Sequence, residues 1–163
     1  MRSQEIIKIN WATSEKICTT YLEDLNDADL MQRPHTGCNH LNWQLGHLIL
    51  SEHSILSGYA PDRMPPLPER FVDKYSKEKA GSDNSEEFLT KAELLQTYRT
   101  QREAAIAILA DCSDDDFDAD APEAIRSFAP TVGAMMSMLG NHWLMHCGQW
   151  VIVRRTLGKP IVI

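Results

Sequence analysis

No stretch of this sequence reaches the roughly 20 consecutive apolar residues that a membrane-spanning helix needs. The opening segment, MRSQEIIKIN, has no apolar core of the kind that marks a secretory leader. The expectation is therefore a cytoplasmic protein. Positive charge is also short: 16 Lys and Arg stand against 23 Asp and Glu, a formal net charge of −7. Phosphate backbones and anionic lipid surfaces are gripped by clustered cations, so neither nucleic acid nor a membrane is expected as a partner. Cysteine is confined to Cys18, Cys38, Cys112 and Cys147, none of them in C-x-x-C. That argues against a disulfide scaffold, and the four read as reduced thiols. Cys147 sits beside His146 but about 100° round a helix from it, and reads as a small core residue. The glycine patterns that cradle phosphates are missing, as is the G-x-S-x-G serine elbow. Nucleotide binding and serine hydrolysis lose their support with them.

Alternation that would demand a sheet is absent too, and a helical period takes its place. Ile6, Ile9, Thr13, Ile17 and Tyr21 stripe a first helix over about residues 4–25. A second runs over about 40–58, with Asn39 as N-cap and Gly58 and Pro61 at its end. From about 59 to 89 the chain carries Pro61, Pro65, Pro66 and Pro68, then the polar run KEKAGSDNSEE, and reads as a long crossover loop. Thr90 and Glu93 form a capping box that opens a third helix over about 91–112. Thr131 caps a fourth, which runs to about 157, where Gly158 supplies a left-handed stop and Pro160 bars continuation. Arg154 and Arg155 complement the dipole of its last turn. The prediction is one all-α domain over residues 1–163. It is a four-helix bundle whose long crossover joins the second and third helices. The pattern alone leaves the helix directions open.

The chemistry-bearing string is HWLMHCGQW, which sets His142 and His146 four residues apart on the fourth helix. At that spacing two side chains lie only about 40° apart on one face. Two imidazoles so placed can grip one metal ion, with a third ligand from elsewhere. His47, in NWQLGHLILSEH on the second helix, is the best candidate. Its helix face also carries His40, Trp43, Ser51 and Ser54, which is polar for a core stripe unless it lines a wet or metal-bearing cavity. Met135, Met138 and Gln149 share the matching face of the fourth helix. Three neutral imidazoles suit a divalent transition metal better than magnesium or calcium, which prefer oxygen. Three protein ligands leave a position for water or substrate. Position 143 is Trp, so the glutamate of a metalloprotease H-E-x-x-H is missing and peptidase activity is disfavoured. Glu52, His53, Tyr98 and Arg102 could orient a substrate or move a proton, but spacing gives none of them a role, and a surface or packing residue is the plainer reading of each. His35 reads as an exposed loop histidine. Asp114, Asp116 and Asp118 imitate a calcium loop, but Ala119 and Ile125 stand where it needs Gly and Glu. Protonated imidazole cannot ligate, so metal release is expected near or below about pH 6.

Trp43-x-x-x-His47, then T-V-G at 131–133, then H-x-x-x-H-x-G-Q from His142 and R-R-x-L-G-K-P from Arg154 together resemble the DinB/YfiT-like superfamily of metalloenzymes. The resemblance covers essentially the whole chain. It implies a four-helix bundle in up-down-down-up order, and a metal, zinc or nickel, held by His47, His142 and His146. It also implies a homodimer and, by analogy with some relatives, a low-molecular-weight thiol as co-substrate. A fold hosts many chemistries, so function must be argued from the site. The leading expectation is a metal-dependent enzyme that transfers such a thiol to or from a small electrophilic substrate. The alternatives are metal-assisted hydrolysis and a non-catalytic dimeric bundle that binds metal or a small molecule. Trp11, Trp143 and Trp150 supply apolar area that would serve either a dimer interface or a core.

Overall fold

A computed structural model describes residues 2–161 of the chain. Four long helices dominate it: α1 (Ser3–Leu22), α3 (Leu41–Tyr59), α5 (Lys91–Asp111) and α8 (Val132–Thr156). Short helices fill the connections: α2 (Asp27–Leu30), α4 (Phe71–Lys74), α6 (Asp114–Asp118) and α7 (Glu123–Arg126). No strand is present among the described residues, and no helix among them is long and apolar enough to cross a membrane.

Most helix boundaries follow from capping. Thr90 and Glu93 satisfy each other's backbone N–H groups at 3.3 and 2.8 Å. Thr131 accepts from the Ala134 N–H, and Gly158 takes the left-handed φ of 68° past the end of α8. The expected Asn39 cap is displaced by one residue. His40 caps α3, its Nδ1 accepting from the Trp43 N–H at 3.0 Å, while the Asn39 carbonyl is taken by the Gln44 amide. The first helix stops at Leu22, because Asn26 and Asp29 box off α2 as a separate turn. The acidic run after Cys112 is α6, started by the Ser113–Asp116 box.

Pairings along the long helices give their relative directions. Trp11 Nε1 donates to the Met136 carbonyl and Arg154 Nη1 to that of Tyr21, so α1 and α8 run parallel. Asn42 reaches the Leu89 carbonyl, Glu52 meets Arg102 and Tyr59 meets Cys112, so α3 and α5 also run parallel. Gln44 pairs with Trp150 and Glu52 with Trp143, which sets α3 antiparallel to α8. Gln4 bonds the Leu109 carbonyl and Lys91 that of Glu23, which sets α1 antiparallel to α5.

The 59–89 crossover is more than a polar loop. It buries Phe71, Tyr75 and Phe88 against α3. Tyr75 Oη donates to Asn42 and accepts from the Leu89 N–H, and its ring crosses α3 at Gly46. A Cβ at Gly46 would fall 2.1 Å from that ring, so only glycine fits beneath it. Arg154, in the last turn of α8 as expected, is fully buried and paired with Asp24, with further bonds to the Tyr21 and Pro160 carbonyls.

Buried apolar side chains form two clusters. One gathers Leu41, Leu45, Leu48, Tyr98, Trp143, Cys147 and Trp150; the other gathers Trp11, Leu56, Ile108, Met135 and Leu139. Trp11, Trp143 and Trp150 therefore belong to the core and not to an outer surface. A polar layer divides the clusters at Ser14 on α1, Glu52 on α3 and Arg102 on α5, all buried.

Candidate metal centre

The antiparallel crossing of α3 and α8 brings His47 against His142 and His146. Their ring centroids lie 5.3 Å (47 to 142), 5.5 Å (47 to 146) and 5.0 Å (142 to 146) apart. One nitrogen from each ring falls within 4.8 Å of the others, close enough to share one metal ion. No other histidine, cysteine or carboxylate joins this group among the described residues. His146 is buried, and His47 and His142 are half-buried.

Burial disfavours the imidazolium form and pushes His47 and His146 down to about 4. His142 is lowered by the same cause. The crowding of the rings adds to it: His142 opposes a charge on His47, and both oppose one on His146. At neutral pH the cluster therefore presents neutral rings, the form that ligates.

The surroundings hold these rings in place. Trp43, one helical turn before His47, stacks on it with centroids 5.0 Å apart and planes 4° from parallel. The Trp43 indole donates to the Ser76 carbonyl at 3.0 Å, which ties the crossover to the centre. His146 Nδ1 lies 3.0 Å from Gln44 Oε1, which also accepts from Trp150 Nε1 at 3.0 Å.

Other polar residues singled out by sequence lie elsewhere. His40 caps α3 and packs edge-on against Phe88. Ser51 is half-buried and Ser54 exposed, and neither joins the cluster. Glu52 and Arg102 form an ion pair at 2.8 Å, with side chains 4% and 3% exposed. Trp143 Nε1 donates to the same Glu52 oxygen, and the guanidinium lies over the rings of Trp11, Tyr98 and Trp143. Burial pushes the Glu52 carboxyl up, against the pull of Arg102 and Trp143. Sealed in this way, Glu52, Arg102 and Tyr98 pack the interior, as the plainer sequence reading has it. His53 bonds Gln101 at 2.9 Å, and His35 is exposed in its loop. Cys147 is buried beside Cys18 in the core. Gln44 is the residue that sequence reading missed. It falls three positions before His47, but an amide has no ligand chemistry to mark it.

Comparison with known families agrees with this geometry. The DinB superfamily pattern matches residues 11–150, a span that contains all three histidines and Gln44. No curated protein and no solved structure matches the chain.

Proposed function

The chain belongs to the DinB superfamily, and from that premise we propose that it is a metal-dependent enzyme with His47, His142 and His146 as its metal ligands. The observation that carries the reading is the convergence of three rings, from two antiparallel helices, with their nitrogens within 4.8 Å and burial keeping them neutral. A divalent transition metal there, zinc or nickel, would lower the pKa of a bound small thiol or water and polarise an electrophile. Three protein ligands leave room for such a group.

The half-buried rings of His47 and His142 give the centre an open side, while buried His146 anchors its floor. Trp43 walls off one face of His47. The reaction we favour is thiol transfer to a small electrophile. The thiol proton passes to solvent, the sulfur forms a carbon–sulfur bond, and the leaving group departs with its electron pair. Hydrolysis by a bound water is the second reaction the same centre could serve.

The pairing order supports reading α1, α3, α5 and α8 as one four-helix-bundle domain, up-down-down-up, and its proposed place of action is the cytoplasm. A non-catalytic dimer draws on a separate observation: Ile6 and Ile9 on α1 and Met145 and Ile152 on α8 are exposed. We carry the homodimer as part of the proposal, with this surface as its place.

Metal analysis of protein purified without chelator tests the reading. Near one equivalent of transition metal is expected in the parent and none in His142→Ala, with helical content retained. Metal-dependent turnover is then expected on a panel of electrophiles with small thiols. Absence of metal from the parent even after reconstitution would refute the metal centre, and metal without any turnover would favour the binding module.

A further inference from the structure

We propose that Gln44 is a positioning residue that holds His146 in a single tautomer, with its proton on Nδ1 and Nε2 left bare. The geometry stands by itself; its consequence rests on the three-histidine centre described above.

The indole N–H of Trp150 can only donate, and it points at Gln44 Oε1 from 3.0 Å. The atom it meets must therefore be the amide oxygen. The other side of the amide agrees. Gln44 Nε2 donates to the Asn39 carbonyl at 2.7 Å and to Gln149 Oε1 at 3.2 Å. A carbonyl can only accept, so turning the amide over would set oxygen against oxygen at Asn39 and nitrogen against N–H at Trp150. Both errors would be buried, because Gln44 is 1% exposed and Trp150 fully covered.

With the amide fixed, His146 has no choice. Its Nδ1 lies 3.0 Å from the same oxygen and must supply the hydrogen of that bond. A neutral imidazole carries one N–H, so the lone pair is on Nε2. Free histidine would divide between tautomers and rotate; here both are set before any ligand arrives. The support is also neutral. A carboxylate in this position would make the ring a stronger donor and would lessen the positive character of the ion it holds. An amide orients the ring without that charge, which suits a centre that must acidify a bound thiol or water.

Apo protein labelled with nitrogen-15 provides the first readout. Long-range proton–nitrogen correlation is expected to show His146 as the Nδ1–H tautomer alone. In Gln44→Leu that signature should give way to a tautomer mixture; in Gln44→Glu, which keeps the acceptor for His146 but sets its second oxygen against the Asn39 carbonyl, it should survive at a cost in stability. Trp150→Phe leaves the Asn39 carbonyl to orient the amide and should keep the Nδ1–H tautomer, whereas Gln44→Met, which matches the length of the side chain and lacks its oxygen, should give the same mixture as Gln44→Leu and covers the case in which Gln44→Leu folds poorly. Zinc affinity by chelator competition is the second readout. Gln44→Leu should bind about 10–100-fold more weakly than the parent, and Gln44→Glu at least as tightly. An Nε2–H or mixed tautomer in the parent would overturn the proposal, as would an unchanged tautomer in Gln44→Leu. Failure of the parent to bind zinc while the tautomer is as expected would overturn the metal centre and leave the role of Gln44 toward His146 in place.

Discussion

At the scale of single residues, burial changes the acid–base behaviour of the histidines. An unfolded histidine titrates near 6.5, whereas the fold lowers His47 and His146 to about 4. His40 is also lowered to about 4, by burial first and by the charge of Arg33 second. Between these values the unfolded chain binds more protons than the folded one, so acid favours unfolding. Apo-protein stability, measured by urea denaturation, should be complete above about pH 6.5 and fall as the pH drops toward 4. His40 makes this loss structural, because its Nδ1 can accept the Trp43 N–H only while unprotonated. The metal should also be retained below the pH of about 6 expected from ordinary imidazoles, since burial has already removed the competing protons. Zinc retention across a pH series checks it. The three rings themselves are legible in the sequence, because a helix converts spacing into direction: His142 and His146 share a face by period alone, and the polar stripe on α3 marks His47. Their burial, and with it their acid–base behaviour, is not encoded in spacing. The buried ion pair makes a separate prediction. Arg102→Met should cost about 3–5 kcal/mol in urea denaturation by stranding the Glu52 charge, while the double variant Glu52→Leu with Arg102→Met should recover most of that loss.

At the scale of elements, helix starts with a hydroxyl or a capping box were plain in the sequence: Thr90 with Glu93, and Thr131. The α3 start was misplaced by one residue because Asn39 is the better intrinsic cap. A local bond accompanies the shift: the Gln44 amide, five residues on, takes the Asn39 carbonyl, and His40 takes the cap. The crossover was legible as a long connection, but not as a packed one. Its proline and charge content hid three aromatic anchors: Phe71 and Tyr75 stand four apart, but on a single turn too short to show a period, and Phe88 follows far along the chain. Gly46 is where this packing can be tested. Gly46→Ala puts a methyl into the Tyr75 ring, and overpacking of this kind costs about 1–3 kcal/mol. Displacing Tyr75 also shifts Ser76, whose carbonyl holds the indole stacked on His47. The variant should therefore lose both stability to urea and zinc affinity, with Tyr75→Phe, which keeps the ring, affecting zinc less.

At the scale of the whole molecule, the helix count could be read from period and caps, whereas helix directions depend on contacts between residues some 50 to 130 positions apart, which no local pattern encodes. Because the proposed ligands come from α3 and α8, metal should brace the entire fold. At a free concentration 100 times its Kd, zinc should add about 2.7 kcal/mol. For a domain of this size that raises the melting temperature by about 5–11 °C. Thermal scans with and without zinc check the gain, which should vanish in His142→Ala. The polar layer between the two apolar clusters has a different kind of consequence. Greasy surfaces slide: an apolar stripe shifted by one helical turn still finds apolar neighbours. Glu52 and Arg102 do not permit that freedom. Moving α5 one turn along its axis would carry Arg102 about 5.4 Å from Glu52 and strand both charges in hydrocarbon. The layer thus works like the zero line of a vernier. It indexes α3 against α5, and through Trp143 against α8, and an ångström-scale centre needs its parts to arrive at the same height.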